Sequence, residues 1–229
     1  MSSHISTQAV VLKRNKVSPT DSYIKLFTRA LGIIDVYTKG SNSPKSHLNK
    51  ASQPFVFGNF TIYVSKSFQL KEAEVVHSFY DVRLDHQKYK YFSYLSLAVL
   101  KFLDLKISNQ YIFEQLINSM YLINSHKEYA DKIVYYFLYA YCSDYGILPK
   151  FTDQDLGKYI NIDGTISSKA TSTSDYISNF QVDIKKGIKA ALKNIDEKNN
   201  LHFIEKYIKY HMNIDLASIK ENIESLISL

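Results

Sequence analysis

The chain has 229 residues, 45% of them hydrophobic and 22% charged, enough to bury a sizeable core in one or two domains without covalent staples. No apolar run reaches the roughly 20 residues of a membrane span, residues 1–14 lack the basic-then-apolar layout of a signal peptide, and a lone cysteine, Cys142, excludes an internal disulfide or a cysteine-built zinc site. Residues 1–80 hold ten Lys/Arg against four Asp/Glu, so the whole formal surplus of +6 lies there and the rest of the chain is balanced. A neutral body joined to a basic module is the outline expected of a cytoplasmic protein that meets a polyanion.

Within residues 1–80 apolar side chains recur at period two, the spacing that puts alternate residues on one face of a sheet. Strands are predicted over 5–14, 22–29, 33–39, 55–65 and 68–77. Val10 and Leu12, Ile24 and Leu26, Ile34 and Val36, and Phe60, Ile62 and Val64 are the expected inward-facing residues. Turn chemistry separates the runs: Ser18-Pro19-Thr20-Asp21, then Leu31-Gly32, then a long polar stretch from Gly40 to Pro54. Five short strands with one long loop suit a small closed barrel of the OB type better than an open sheet with bare edges.

From Asp81 the period becomes helical. Tyr89, Phe92, Leu95, Val99 and Phe102 mark one helix, Phe113, Leu116, Ile117 and Met120 a second, and Tyr129, Ile133, Tyr136, Phe137 and Ala140 a third, which Gly146 and Pro149 terminate. Residues 150–175 are rich in Ser, Thr and Asp and weakly apolar, with a hairpin expected around Asp163-Gly164. Helical spacing resumes at Ile184, Ile188 and Leu192, at Phe203, Tyr207, Ile208 and His211, and at Leu216, Ile219, Ile223 and Leu226. The expected fold class is therefore α+β: a five-stranded OB-type barrel over 1–80, then an all-α domain over 81–229 interrupted by a small irregular insertion at 150–175.

The sequence holds no phosphate-cradling GxxxxGK[ST] loop, no GxSxG elbow, no HExxH and no GxGxxG, so nothing argues for an enzyme. Asp153-Gln154-Asp155-Leu156-Gly157 mimics a calcium loop but has its glycine one position early and lacks the terminal glutamate. His211, on the apolar side of its helix, reads as a hydrogen-bonded core histidine. The constellation that stands out is basic: Lys13, Arg14 and Lys16 at the end of strand one, Lys25 and Arg29 on strand two, Lys39 ending strand three, and Lys45 and Lys50 in the loop after it. OB-type barrels hold single strands with a cationic groove for the phosphates and aromatic faces for the bases, and Tyr37 and Tyr63 are the stacking candidates. Outward tyrosines also serve simply as packing against a helical body. Lys185, Lys186, Lys189 and Lys193 form a second patch, most often just a solvated helix face.

The same segment carries a family resemblance. Val11-Leu12-Lys13-Arg14, the run Asp21 to Arg29, Gly32, Lys39-Gly40, Pro44 to Leu48, Gln53-Pro54-Phe55, Ala73-Glu74 and Ser78-Phe79, in this order and at these distances, resemble the N-terminal domain of RecO. Tyr145-Gly146 with Pro149, and Lys206-Tyr207 to Tyr210-His211, resemble later landmarks more faintly. The resemblance implies an OB barrel and a helical domain whose insertion binds zinc in many members. It also implies a DNA repair and recombination mediator that binds single- and double-stranded DNA and anneals complementary strands. Its implied partners are RecR and the acidic C-terminal tail of single-strand-binding protein (SSB), so that RecA is loaded at gaps. This chain departs from the pattern in having no cysteine after Tyr145 to Pro149, so zinc is not expected. Two rival readings remain: a protein-interaction scaffold that recognises an acidic peptide tail, and an RNA-binding OB module.

Overall fold

A computed structural model describes residues 3–103, 107–177, 181, 201–219 and 223. The chain divides into two compact units, Met1–Phe113 and Glu114–Leu229. In the first, strands β1 (Ser3–Lys16), β2 (Ser22–Thr28), β3 (Gly32–Thr38), β4 (Phe57–Val64) and β5 (Phe68–His77) close into a barrel in the order β1-β2-β3-β5-β4. All pairings are antiparallel except the β3–β5 seam, a short parallel contact at Val36–Phe68 and Tyr37–Gln69. The five strands predicted from period two are all present.

The barrel interior is filled by Ala9, Val11, Ile24, Leu26, Ile34, Val36, Leu48, Val56, Phe60, Ile62 and Leu70. On β1 the inward residues are therefore Ala9 and Val11, not the predicted Val10 and Leu12. Those two are equally buried, but on the opposite face, so both faces of β1 are apolar and parity alone carries no information. A bulge adds to this: the register with β2 slips between Val11–Leu26 and Lys13–Lys25, which returns Lys13 to the outside. The predicted 40–54 loop contains a short helix, α1 (His47–Ala51), N-capped by the Ser46 hydroxyl. Its Leu48 plugs the barrel, so Lys50 belongs to a helix rather than a loop.

A 3-10 turn at Tyr80–Leu84 leads to α2 (His86–Phe102), whose Phe92 packs edge-on against Phe55 and Phe79. Asp85 caps α2 by accepting from the amides of Gln87 and Lys88. Gly32 starts β3 with φ +67°, and a Cβ there would lie 2.2 Å from the Ile107 carbonyl oxygen, so the 107 segment crosses a position only glycine fits.

Helix α3 (Gln110–Ser125) runs across the boundary into the second unit, which is built on α4 (Ala130–Asp144). Residues Ile133–Cys142 are buried on every side, the mark of a central helix. Gly146 ends α4 in a Schellman arrangement: Ile147 N–H donates to the Cys142 carbonyl and Gly146 N–H to that of Ser143. The insertion is a small sheet ordered β7-β6-β8, from β6 (Tyr159–Asn161), β7 (Ile166–Ser167) and β8 (Ser174–Tyr176). The hairpin at Asp163-Gly164 was expected and β8 was not. Helix α5 (Leu201–Met212) follows, and the Tyr207 hydroxyl donates to the Ile147 carbonyl. His211 is exposed rather than a core residue, although it does hydrogen-bond the Ile162 carbonyl at 2.9 Å. The helix expected around Ile184, Ile188 and Leu192 lies outside the described residues, as do Lys185, Lys186, Lys189 and Lys193.

Candidate nucleic-acid interface

The register of the barrel brings together residues that are far apart in sequence. His4 pairs with Tyr63, Tyr63 with Gln69, Gln69 with Tyr37, and Tyr37 with Tyr23. These five successive cross-strand partners on β1, β4, β5, β3 and β2 form one continuous row on the outer surface, each exposed or half-buried. Their rings interact: His4 and Tyr63 are 5.2 Å apart, Tyr23 and Tyr37 5.4 Å, both tilted. Lys71, at a bulge in the β4–β5 register, places its Nζ 5.0 Å from the Tyr63 ring centre. Tyr37 and Tyr63 were foreseen as stacking candidates; the structure sets them in one row and adds Tyr23, His4 and Gln69.

Tyr37 is also fixed by its hydroxyl. It donates to Asp21 Oδ2 at 2.6 Å, while Gly40 N–H donates to Oδ1 at 2.8 Å. These bonds, the Gly40 one foremost, hold the Asp21 carboxyl down at about 2, and the carboxylate in turn pushes the Tyr37 phenol up.

The cations divide into two kinds. Lys13, Lys16, Lys39, Lys45 and Lys50 are exposed, with no acidic partner among the described residues. Lys16 lies opposite Ser22, which lies opposite Thr38 beside Lys39, so Lys16 and Lys39 share one end of the barrel, next to the Tyr23–Tyr37 end of the row. Lys13 lies opposite Lys25 on the other side of the same aromatic pair.

The remaining cations are committed elsewhere. Lys25 is ion-paired with Asp35 at 2.7 Å, the cross-strand neighbour that partly neutralises it. Arg14 faces the barrel end, opposite Ile24, and is half-buried. Its Nη2 donates to the Ser41 carbonyl at 2.9 Å and to Asn42 Oδ1 at 2.7 Å, tying the 40–54 loop to β1. Desolvation, and secondarily the charge of Arg83, lowers its pKa. Arg83 was not foreseen; it donates to the Pro54 carbonyl and anchors the far end of the same loop. Arg29 is exposed at the opposite end of β2, with Nη1 3.4 Å from Gln8 Oε1.

The insertion has no donor set suited to zinc. It contains no cysteine, and its buried carboxylate, Asp175, is engaged by the hydroxyls of Tyr135 and Tyr139 and by Gln181. Burial pushes the Cys142 thiol far above its ordinary range. Asp155, in the stretch that mimics a calcium loop, is occupied by Thr152 and Lys158. No helix among the described residues is long and apolar enough to cross a membrane.

Residues 1–79 match the family described as recombination protein O N terminal. Over longer stretches the chain is similar to proteins named DNA repair protein RecO. It is 27% identical to that of Oceanobacillus iheyensis over 133 residues, covering 58% of this chain and 52% of the relative. With that of Clostridium kluyveri it is 31% identical over 121 residues, 52% and 47% of the two chains. With that of Alkaliphilus metalliredigens it is 27% identical over 149 residues, 65% and 61%. The chain thus spans about half the length of the curated relatives it matches. The family match thus covers the barrel, residues 1–79, and the similarity to proteins named DNA repair protein RecO extends beyond it.

Proposed function

We propose that the chain is a non-catalytic DNA-strand mediator of repair and homologous recombination, binding single- and double-stranded DNA without strong sequence preference and annealing complementary strands. Loading of RecA on SSB-covered single strands, with RecR and the SSB tail as partners, and a cytoplasmic, nucleoid-associated location belong to the same reading. The observation that carries it is the outward aromatic row flanked by unpaired lysines: Tyr23 and Tyr37 offer faces for bases, and Lys13, Lys16 and Lys39 lie on either side of them. Annealing makes and breaks no covalent bond. It needs two mutually repelling backbones neutralised while base edges stay free, which lysines on a barrel rim supply. Zinc plays no part in this reading.

The test is fluorescence anisotropy of a labelled oligonucleotide with the chain alone, over a range of salt, followed by strand annealing with and without SSB. Binding to naked DNA that falls steeply with salt, and faster annealing, are the expected results. Salt-insensitive binding, or binding only when an acidic protein partner is present, would overturn the reading in favour of a protein scaffold. Matched RNA and DNA strands in competition separate the RNA-binding alternative.

A further inference from the structure

Strand β5 outruns its neighbour on one side. Its pairing with β4 extends from Phe68 to His77, whereas its seam with β3 ends at Gln69. Over residues 72–76 the backbone groups that point away from β4 have no hydrogen-bond partner among the described residues. Helix α1 packs against β5, yet Lys71, Glu72, Glu74, Val75 and Val76 all stay exposed. Register shifts at Lys71 and Val76 bracket a regular run, 72–75. In that run Glu72 and Glu74 lie opposite Thr61 and Asn59, on the outer face of the barrel. Asn59 donates to Glu74 at 3.1 Å, and Glu72 has no partner among the described residues. Ala73 faces the other way against the core, and Val75 shares its side of the strand but remains exposed.

We infer that this edge receives, as an added strand, an extended segment of another protein in which basic residues alternate with apolar ones; the inference stands apart from DNA binding by the barrel. Free edge amides and carbonyls supply the affinity in such a complex, and alternate side chains supply the selection. Glu72 and Glu74, two residues apart on one face, pair with Lys or Arg at every second position of the added strand. Its intervening residues lie on the side of Val75 and are apolar. Charges and bulges alone would serve to guard a bare edge against aggregation, but a guarded edge has no use for exposed valines, and here Val75 and Val76 are 40% and 51% exposed. The charge pattern also turns other occupants away. A DNA strand or an acidic tail would meet two carboxylates. A second copy, pairing by its own β5 about a two-fold axis centred on Glu72, Ala73 or Glu74, would set glutamates directly opposite one another.

The test uses the full chain and three labelled, end-capped octapeptides in anisotropy titrations at fixed salt: alternating Lys-Val, alternating Glu-Val, and the Lys-Val peptide N-methylated at its two central residues. The Lys-Val peptide is expected to bind about tenfold more tightly than Glu-Val, the combined effect of two opposite-charge cross-strand pairs set against two like-charge ones. N-methylation keeps every charge and removes backbone donors on both edges of the peptide, and is expected to abolish binding. In the double variant Glu72→Lys/Glu74→Lys the preference is expected to invert, with Glu-Val the tighter ligand. Failure of the Lys-Val peptide to bind the unaltered chain would mean that the edge is only guarded, and would overturn the inference. Equal binding of the methylated peptide would show capture by charge without strand addition, and a Lys-Val preference that survives the double variant would move the site elsewhere; either result overturns it. The methylated peptide decides on the unaltered chain even if the variant does not fold.

Discussion

The Tyr37 hydroxyl donates to Asp21 at 2.6 Å, and the same carboxylate receives the amide of Gly40 at 2.8 Å, so one acid in the β1–β2 turn fixes both a ring of the aromatic row and the chain leaving β3. The ring and the hydroxyl therefore have separable roles. Tyr37→Ala is expected to weaken single-strand binding by about tenfold through lost stacking, whereas Tyr37→Phe keeps the face and costs much less. Equal losses in the two variants, by anisotropy, would assign the role to the hydroxyl. The carboxylate's folded pKa, about 2, lies below its ordinary 3.8, so its contribution to stability is complete above pH 4 and is lost as pH falls towards 2. Asp21→Asn should flatten that part of the acid-unfolding curve.

The five exposed lysines and the committed arginine make opposite predictions. Replacing Lys39, Lys45 and Lys50 together by Glu is expected to weaken DNA binding and to lower the slope of log affinity against log salt by about 2, each lost phosphate contact on a single strand accounting for roughly 0.7. The same replacement at Lys185, Lys189 and Lys193 is expected to do less. The reverse order would move the interface off the barrel.

Arg14 holds a loop in place. Arg14→Ala removes two charge-assisted bonds, from buried Ser41 and half-buried Asn42, and is expected to cost about 1.5–3 kcal/mol of stability. The salt slope of DNA binding should be little changed in protein that remains folded. Arg14→Lys is not a rescue, since an ammonium lacks the guanidinium's planar fork. Chemical denaturation and anisotropy on the same preparations separate the two effects.

Much of the barrel was readable because three of its strands, β2, β3 and β4, alternate apolar and polar residues over most of their length, so parity identified Ile24, Leu26, Ile34, Val36, Phe60 and Ile62. On β1 both faces are buried and a bulge shifts the register, which period two does not register. Helix α1 escaped notice because Leu48 is the lone apolar anchor in a polar stretch, and β8 because Ser174-Asp175-Tyr176 owes its burial to tyrosines some 40 residues earlier. The basic residues were legible one by one. Which of them are free was not, because the Lys25–Asp35 and Arg14–Ser41 contacts depend on cross-strand and loop geometry. The row from His4 to Tyr23 was invisible for the same reason: it crosses a bulged antiparallel pair and a parallel seam, whose registers no local pattern encodes.

Two glycines in left-handed conformations offer a contrast. Gly32 at φ +67° and Gly40 at φ +68° carry the same backbone penalty for a side chain, but a Cβ on Gly32 would meet the Ile107 backbone at 2.2 Å while one on Gly40 meets nothing within 4 Å. Gly40→Ala should cost about 1–2 kcal/mol from conformation alone. Gly32→Ala should cost clearly more, about 3 kcal/mol or above, because the 107 segment must also move. Equal losses in denaturant unfolding would mean that the close approach at Ile107 is relieved at no cost.

Asp175 gives the second unit a pH dependence of unusual sign. Burial raises its carboxyl from 3.8 to about 6, outweighing the hydrogen bonds from Tyr135, the Tyr176 amide and Tyr139 that favour the charged form. Between pH 4 and 6 the folded chain therefore keeps a proton that the unfolded chain releases, and unfolding free energy falls as pH rises through that window. The contribution is complete below the unfolded value and is lost above about 6, amounting to about 3 kcal/mol. Asp175→Asn keeps an oxygen to accept from the Tyr135 hydroxyl and the Gln181 amide without a charge to desolvate. The variant is expected to be more stable than the unaltered chain at pH 8 and to lose this slope between pH 4 and 6. A variant destabilised at pH 8, in denaturant unfolding across that range, would show that the ionised carboxylate is the form that holds the insertion to α4.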